Sequence, residues 1–247
     1  MSLKKIISFS LYGNQPNFQV GAIINCIEAK RLFPSWKCRF YTTDDDHICK
    51  QLEWLGAEVI RMDDWAEGKM FWRFLAVDDS DVCIVRDSDS VISELEVVPL
   101  NQWMNTNCQW HFMRHHAAHR SRLILGGMWG YRNISRPDKK ITVDDDTKGG
   151  LISFKEKSMR SWIDDWLGLS SRNNTRKKQQ DQDFLRWLYN FIIPEDTCRH
   201  GLVRFSAASR QPDSRPIPEK ETRYTKFIGC RSFYHDSWNA GYLYQQR

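Results

Sequence analysis

Apolar residues in the first sixty positions of the chain switch repeatedly between strand-like and helix-like spacing. Short apolar runs bounded by loop residues indicate buried strands, whereas apolar residues three or four positions apart indicate helices. These patterns predict strands at 4–11, 37–42 and 57–62 and helices at 19–33 and 47–55. Strand, helix, strand, helix, strand is the order of a parallel α/β sheet of the kind that binds nucleotides.

The same patterns continue beyond residue 70, where the elements are less regularly spaced. They predict a helix at 70–77, a strand at 82–85, a helix end and a strand within 103–113, an apolar glycine-containing strand within 123–131, and helices at 162–169 and 180–191. Prolines and charged residues in 207–225 indicate an extended segment that wraps around the rest. We therefore expect one domain over residues 1–247.

Composition places the chain among soluble globular proteins. Its 247 residues are 41% hydrophobic and 27% charged, and the net charge of +5 favours an anionic ligand without being a nucleic-acid signature. Seven cysteines without a Cys-x-x-Cys pair favour reduced thiols. The amino-terminal apolar run is short and contains Ser8 and Ser10, so it is interpreted as a strand and not as a signal peptide. We expect a soluble, cytoplasmic protein without a membrane span; these patterns leave the oligomeric state open.

Two carboxylates, Asp87 and Asp89, directly follow the apolar strand Val82–Val85. Asp-x-Asp occurs five times, at Asp44/Asp46, Asp79/Asp81, Asp87/Asp89, Asp144/Asp146 and Asp181/Asp183. Only the Asp87/Asp89 copy stands between an apolar strand and a further apolar segment. Ligands bind at the carboxyl ends of strands in open α/β sheets, and carboxylate oxygens suit hard divalent cations. The pair therefore predicts a metal and diphosphate site.

Arg73 and the glycine pair are further candidates. Arg73 is the one charge within the apolar stretch 70–77, and burial of a guanidinium is costly unless it meets an anion. That anion is either a diphosphate or sugar ligand or a carboxylate such as Asp87. Gly126 and Gly127 interrupt an apolar run, which is typical of a kink or of a ligand that approaches the backbone closely.

Five segments in consistent order resemble small soluble glycosyltransferases of the GT-A fold. They are Ile6–Gly13, Met70–Leu75, Val85–Ser90, Ile124–Gly130 and Asp181–Leu185. Similar domains occur in bacteria and large algal viruses and, more distantly, in the glycogenin and lipopolysaccharide galactosyltransferase family. The resemblance covers most of residues 4–200. It implies a single Rossmann-like α/β domain with a mostly parallel central sheet flanked by helices.

This resemblance also implies how the chain is organised for function. Residues 1–95 would form the nucleotide-binding part, which ends in the Asp-x-Asp motif, and residues 96–247 the acceptor side with the wrapping segment. The donor would be a nucleotide diphosphate sugar, with UDP favoured, and the cation Mn²⁺ or Mg²⁺ held by Asp87 and Asp89. The donor-binding residues would be Ser10, Leu11, Tyr12, Thr42, Asp44, Arg73, Asp87, Gly126 and Gly127.

Glycogenin-like relatives carry a late histidine as a third metal ligand. His235 is the better positional match in this sequence, and His200 is the competitor. His115, His116 and His119 lack a cysteine at zinc-site spacing, so they are interpreted as an acceptor or phosphate contact or as a solvated turn.

Asp181, Gln182 and Asp183 open a predicted helix, where a carboxylate can reach a sugar while it caps exposed amides. The resemblance implies that the three residues belong to the catalytic site and that Gln182 or Asp181 stabilises an oxocarbenium-like transition state, with retention of configuration. In an inverting enzyme, one carboxylate would instead act as general base toward the acceptor.

The resulting hypothesis is a metal-dependent glycosyltransferase that acts on a glycan or glycoconjugate acceptor. The alternatives are a nucleotide- or nucleic-acid-binding module, which the modest charge disfavours, and a glycan-binding relative without catalysis.

Overall fold

A central sheet of eight strands runs through the part of the chain that the computed structural model describes. That part comprises residues 2–62, 68–115, 119, 122–134, 142–143, 150–151, 157–172, 180–192, 196–201 and 215–217. The sheet strands are β1 (Lys5–Leu11), β2 (Lys37–Thr42), β3 (Glu58–Arg61), β4 (Val82–Asp87), β5 (Trp110–Arg114), β6 (Met128–Arg132), β9 (Thr197–Gly201) and β10 (Arg215–Pro216). A separate antiparallel pair is formed by β7 (Thr142–Val143) and β8 (Gly150–Leu151).

Helices flank this sheet. The α-helices are α1 (Pro16–Leu32), α2 (Asp46–Trp54), α3 (Val97–Met104), α4 (Met159–Arg172) and α5 (Gln180–Leu188). Short 3₁₀ helices occupy Trp72–Val77, Glu94–Glu96 and Tyr189–Phe191. The predicted α/β class, a mostly parallel central sheet flanked by helices, is confirmed. No helix among the described residues is both long enough and apolar enough to cross a membrane.

The strand order is β10-β9-β5-β6-β4-β1-β2-β3, and neighbouring strands are parallel except where β6 runs antiparallel to β4 and β5. The chain moves outward from β1 to β2 and β3 on one side, and β4 then pairs with the other side of β1. The sheet therefore changes direction between β1 and β4. In open α/β sheets such a switch point leaves a crevice at the carboxyl ends of the strands.

Side chains of β4 alternate between two apolar layers, as expected for a strand covered on both faces. Cys83 and Val85 pack with the Trp72–Val77 segment, α4 and α5, whereas Val82 and Ile84 pack with α1 and α3. Most of the large aromatic residues serve this core. The largest fully buried side chains include Trp72, Trp103, Trp129 and Trp162.

Several helices and strands begin or end at residues other than the predicted ones. The helix α1 begins at Pro16 and not at residue 19, because proline is well suited to a first helical turn. The predicted helix at 70–77 is a 3₁₀ helix over Trp72–Val77. Its backbone is tied to β1, since the Arg73 N–H donates to Ser10 Oγ (3.0 Å) and the Ser8 hydroxyl donates to the Arg73 carbonyl (2.6 Å).

The strand predicted within the glycine-containing run begins only at Met128, so Gly126 and Gly127 lie in the turn before β6. The prediction that places them inside a strand is therefore wrong. Of the predicted wrapping segment 207–225, the structure describes only residues 215–217, where β10 pairs with β9.

Candidate active site

The switch point between β1 and β4 brings several of the predicted donor-binding residues together. Ser10 pairs with Asp87 in the parallel register of the two strands, close to their carboxyl ends. A cleft of about 300 Å³ opens there. Predicted site residues that line it are Ser10, Tyr12, Arg73, Asp87, Asp89, Asp181 and Gln182, joined by Phe18, Met70, Ser88 and Ser90.

Arg73 is the centre of the charged part of this cleft. Its Nη1 pairs with Asp87 Oδ1, and its Nη2 donates to Asp181 Oδ2 at 2.9 Å. The side chains of Arg73 and Asp181 are only 8% and 5% exposed, whereas that of Asp87 is 41% exposed. Arg73 therefore meets carboxylate partners, Asp87 among them as predicted, and it also lines the cleft.

The electrostatics keep the guanidinium charged. Burial acts to lower the pKa of Arg73, but the Asp87 and Asp181 carboxylates outweigh it, and the pKa is raised. Asp181 behaves differently, since burial and the negative charge of Asp87 raise its pKa despite the opposing effect of Arg73. Burial likewise raises the pKa of the Tyr12 hydroxyl, whose ring packs edge-on against Trp72 at 6.0 Å.

Asp181 and Gln182 stand at the first turn of α5. The Gln182 N–H donates to Asp181 Oδ1 at 2.9 Å, so the carboxylate caps its own helix turn. With its amide oriented to satisfy both neighbours, Gln182 donates to the Ile124 carbonyl (3.3 Å) and accepts from the Gly126 N–H (2.6 Å). Asp183 is half-buried and does not line the cleft.

Gly126 and Gly127 are glycine because the site leaves no room for a side chain. A Cβ at Gly126 would lie 2.5 Å from the Gln182 side-chain amide and 2.6 Å from Asp181 Oδ2. At Gly127 it would lie 2.5 Å from Asp87 Cγ. In the structure, the groups that approach the backbone of these glycines are therefore the side chains of Asp87, Asp181 and Gln182.

Asp87 and Asp89 offer the oxygen donors that a hard cation prefers. Asp87 ends β4, and the Ser90 N–H donates to its carbonyl at 3.1 Å, which closes a tight turn around Ser88 and Asp89. Both carboxylates line the same cleft. Mg²⁺ typically binds through one or two carboxylates and completes its shell with substrate phosphates and water. The donor set fits a divalent cation of this kind.

No cluster of three or more His, Cys, Asp or Glu side chains able to hold a metal occurs among the described residues. The predicted third ligand His235 lies outside them. The competitor His200 is buried and both of its ring nitrogens are engaged, by His111 (2.9 Å) and by Gln102 (2.8 Å). His200 therefore has no ring nitrogen to offer a cation beside Asp87 and Asp89.

The residues predicted to bind the nucleotide at the ends of β1 and β2 do not all reach the cleft. Leu11 lies in the apolar core, is fully buried and does not line the cleft. The Asp44 N–H donates to Thr42 Oγ1 (2.9 Å), and Gln19 Nε2 donates to Asp44 Oδ2 (3.0 Å). Asp44 is 1% exposed, and its Oδ1 has no hydrogen-bond partner. Thr42 and Asp44 do not line the cleft described above.

The basic turn before β6 was expected to be solvated or to contact an acceptor. His115 and His119 are both buried, and the His115 N–H donates to His119 Nδ1 at 3.2 Å. The prediction of a solvated turn is therefore wrong for these two histidines. His116 lies outside the described residues.

Sequence reasoning missed Asn25, whose side chain contacts the turn that carries Asp89. Its amide donates to the carbonyls of Ser88 and Ser90, each at 3.2 Å, and accepts from the Ile92 N–H at 2.9 Å. A signal was available, since Asn25 is a polar residue within the otherwise apolar stretch 20–27. A buried polar group of this kind requires partners.

No protein-family model and no curated protein sequence matches the chain. Among solved structures it is similar to glucosyl-3-phosphoglycerate synthase from Mycobacterium tuberculosis, at 11% identity and TM-score 0.37 over 53% of this chain and 57% of the other. A mannosyltransferase from Pyrobaculum calidifontis in complex with GDP-Man and Mn²⁺ matches at 6% identity and TM-score 0.41, over 53% of this chain and 45% of the other.

The apo-form glycosyltransferase GlyE of Streptococcus pneumoniae TIGR4 matches at 13% identity and TM-score 0.48, over 76% of this chain and 44% of the other. The chain thus spans about half the length of the solved structures it matches. These likenesses cover only part of each structure at low identity, so the geometry of the cleft is the basis for a function.

Proposed function

We propose that this protein is a metal-dependent glycosyltransferase of the GT-A type. It would move a sugar from a nucleotide diphosphate sugar to a glycan or glycoconjugate acceptor. The observation that carries this proposal is the bridge that Arg73 makes between Asp87 and Asp181 in one cleft. The bridge joins an acidic strand end to a helix start, and Asp181 lies 108 residues after Arg73 in the chain.

The cleft would combine two kinds of chemistry around Arg73. At the β4 end, Asp87 and Asp89 would hold Mn²⁺ or Mg²⁺, which supplies Lewis-acid stabilisation of charge on the departing diphosphate. Arg73 is a permanently charged neighbour that can donate to diphosphate oxygens. At the α5 end, Asp181 and Gln182 present a carboxylate and an amide to the sugar.

We favour UDP over GDP as the nucleotide of the donor, on the resemblance to glycogenin-like glycosyltransferases. The buried Asp44 lies outside the cleft and is not part of this proposal.

Transfer breaks the bond between the sugar C1 and the diphosphate oxygen and forms a bond from C1 to the acceptor oxygen. Positive charge develops on the ring in between, and Asp181 and the side-chain oxygen of Gln182 would stabilise it. In the retaining course that we favour, the leaving diphosphate takes the proton of the acceptor hydroxyl.

The test is a panel of nucleotide sugars incubated with the intact chain in Mn²⁺, in Mg²⁺ and in chelator. We expect metal-dependent hydrolysis or transfer from a UDP-sugar, and its loss in Asp89→Ala. Asp81→Ala is the matched control, because Asp81 belongs to another Asp-x-Asp copy at the opposite end of β4, where its Oδ2 accepts from the Lys4 N–H at 2.6 Å.

Three results would separate the alternatives. Binding of UDP with Mn²⁺ but no turnover of any donor would favour a binding module. Full activity of Asp89→Ala would place the metal elsewhere. The proposal would be wrong if calorimetry detected no nucleotide diphosphate binding with or without Mn²⁺.

A further inference from the structure

We infer that Asn25, in the middle of α1, is a positioning residue that sets Asp89 relative to Asp87 and so prepares the two carboxylates for a divalent cation. The inference rests on the proposed function, because it assigns the pair to a metal. It adds a determinant from a helix that carries none of the predicted metal ligands or sugar-contacting groups.

The two carboxylates are held in different ways. Asp87 is the last residue of β4, so the strand register with Ser10 and the ion pair with Arg73 fix its place. Asp89 lies beyond the strand, in the segment Ser88–Ile92, which we call the acidic turn. The separation of the two carboxylates therefore depends on what holds the backbone of this turn.

Asn25 holds that backbone at three points. Its Nδ2 donates to the Ser88 carbonyl and the Ser90 carbonyl, both at 3.2 Å, and its Oδ1 accepts from the Ile92 N–H at 2.9 Å. The Asn25 side chain is fully buried. One amide thus uses its donor and acceptor atoms on both sides of Asp89.

Gly21 provides an independent observation that α1 is fitted to the acidic turn. It lies one helical turn before Asn25 on the same side of the helix. A Cβ at Gly21 would lie 3.1 Å from the Ser88 carbonyl carbon and 3.3 Å from Asp89 Cα, so the helix backbone packs directly on the turn. Two positions of α1 are therefore shaped by the acidic turn, one by its small size and one by its hydrogen bonds.

Removal of the amide would leave two carbonyls and one N–H of the turn without these partners. Buried polar groups in that state either recruit water or move, and both outcomes change where Asp89 stands. Residues that orient metal ligands typically contribute about 10-fold to 100-fold in metal affinity or activity. We expect an effect of that size from Asn25.

The experiment compares the native chain with Asn25→Ala and with Cys26→Ala. Cys26 is the matched control, because it is the next buried residue of α1 and its thiol lies beside Cys38. Mn²⁺ affinity is measured by electron paramagnetic resonance, and exchange of the Ser90 and Ile92 amide hydrogens by NMR. Asn25→Ala should weaken Mn²⁺ binding about 10-fold to 100-fold and accelerate Ile92 exchange. Cys26→Ala should do neither.

The outcomes are distinguishable. Unchanged Mn²⁺ affinity in Asn25→Ala, beside a native chain that binds Mn²⁺, would overturn the inference. A native chain that binds neither Mn²⁺ nor UDP would overturn the metal-dependent function and the metal role of Asn25 together. Faster Ile92 exchange in Asn25→Ala would in that case show that Asn25 only stabilises the turn. Asn25→Asp repeats the test if the alanine variant does not fold, because it keeps the side-chain shape and places a carboxylate against two carbonyls.

Discussion

Arg73 is the residue at which three parts of the chain meet. Its backbone is tied to β1 through Ser8 and Ser10, and its guanidinium joins Asp87 of β4 to Asp181 of α5. A buried pair is weak evidence for stability as such, but loss of one partner leaves an uncompensated charge. Arg73 should therefore matter for both folding and donor binding.

Replacement of Arg73 by Met should lower the free energy of unfolding by about 3 kcal/mol, because Asp181 then remains buried beside Asp87 without its cation. Asp181→Asn should also destabilise, but the double variant should lose less than the sum, with a coupling of about 1–3 kcal/mol. Urea unfolding of the four proteins measures the cycle. Additive losses would show that the ion pair has no energetic role.

Gly126 tests whether the close packing of the cleft is functional. Gly126→Ala should greatly reduce donor turnover while the chain still folds, because the new methyl group would displace Gln182 and Asp181. Gly168→Ala is the control, since Gly168 lies in α4 and a Cβ there meets nothing within 4 Å. That change should stabilise the helix by up to about 1 kcal/mol. Equal turnover in the two variants would contradict the prediction.

At the scale of elements, α3, β5 and β9 are joined by a buried histidine pair. His111 Nε2 and His200 Nδ1 share a hydrogen bond of 2.9 Å, His200 Nε2 bonds to Gln102 Oε1, and the His111 ring stacks on Trp103. Burial, helped by Arg215, lowers the pKa of His200 to about 4. Burial, His200 and Arg86 lower the pKa of His111 well below its usual value.

The histidine pair should make the fold acid-sensitive. Because the folded-state pKa values are lowered, the unfolded chain binds more protons below about pH 6.5, and stability falls as the pH falls. His200 alone should cost about 2 kcal/mol between pH 7 and pH 5. In denaturant titrations at the two pH values, His200→Gln should reduce the loss of unfolding free energy between pH 7 and pH 5 by this amount. An unchanged loss would mean that His200 does not titrate as its surroundings indicate.

At the scale of the molecule, the cleft exists because the sheet changes direction between β1 and β4. Residues from both faces of the sheet contribute. Phe18 packs with the apolar layer that includes α1, whereas Tyr12 packs with the layer that includes α5. A ligand that contacts both residues would link the two layers. It should therefore stabilise the whole fold and not one segment.

UDP and Mn²⁺ together should raise the midpoint of thermal unfolding by about 5–10 °C at 100-fold excess over the dissociation constant, since such binding contributes about 2.7 kcal/mol. Either component alone should have a much smaller effect, and Asp89→Ala should remove the joint shift. The measurement is differential scanning calorimetry of the intact chain. A comparable shift with a polynucleotide at physiological salt would instead indicate a nucleic-acid-binding module.

Much of the element order could be predicted from the sequence. The strands β1, β2 and β4 and the helix α2 lie close to their predicted positions, because each needs only a local apolar run and its bounding turn residues. The 3₁₀ form of Trp72–Val77 could not be predicted, because it depends on serines of β1 that lie 63 and 65 residues away. The turn at Gly126 and Gly127 likewise depends on side chains of α5 and β4.

The class of fold and the acidic strand end follow from local sequence patterns, since periodicity and the placement of Asp87 and Asp89 at the end of an apolar strand are local properties. Which residues share the cleft depends on the tertiary structure. Arg73 meets Asp181 across 108 residues, Asn25 reaches the acidic turn across more than 60, and His200 turns to His111 instead of a cation. These contacts depend on which faces pack together, and packing is a property of the whole chain.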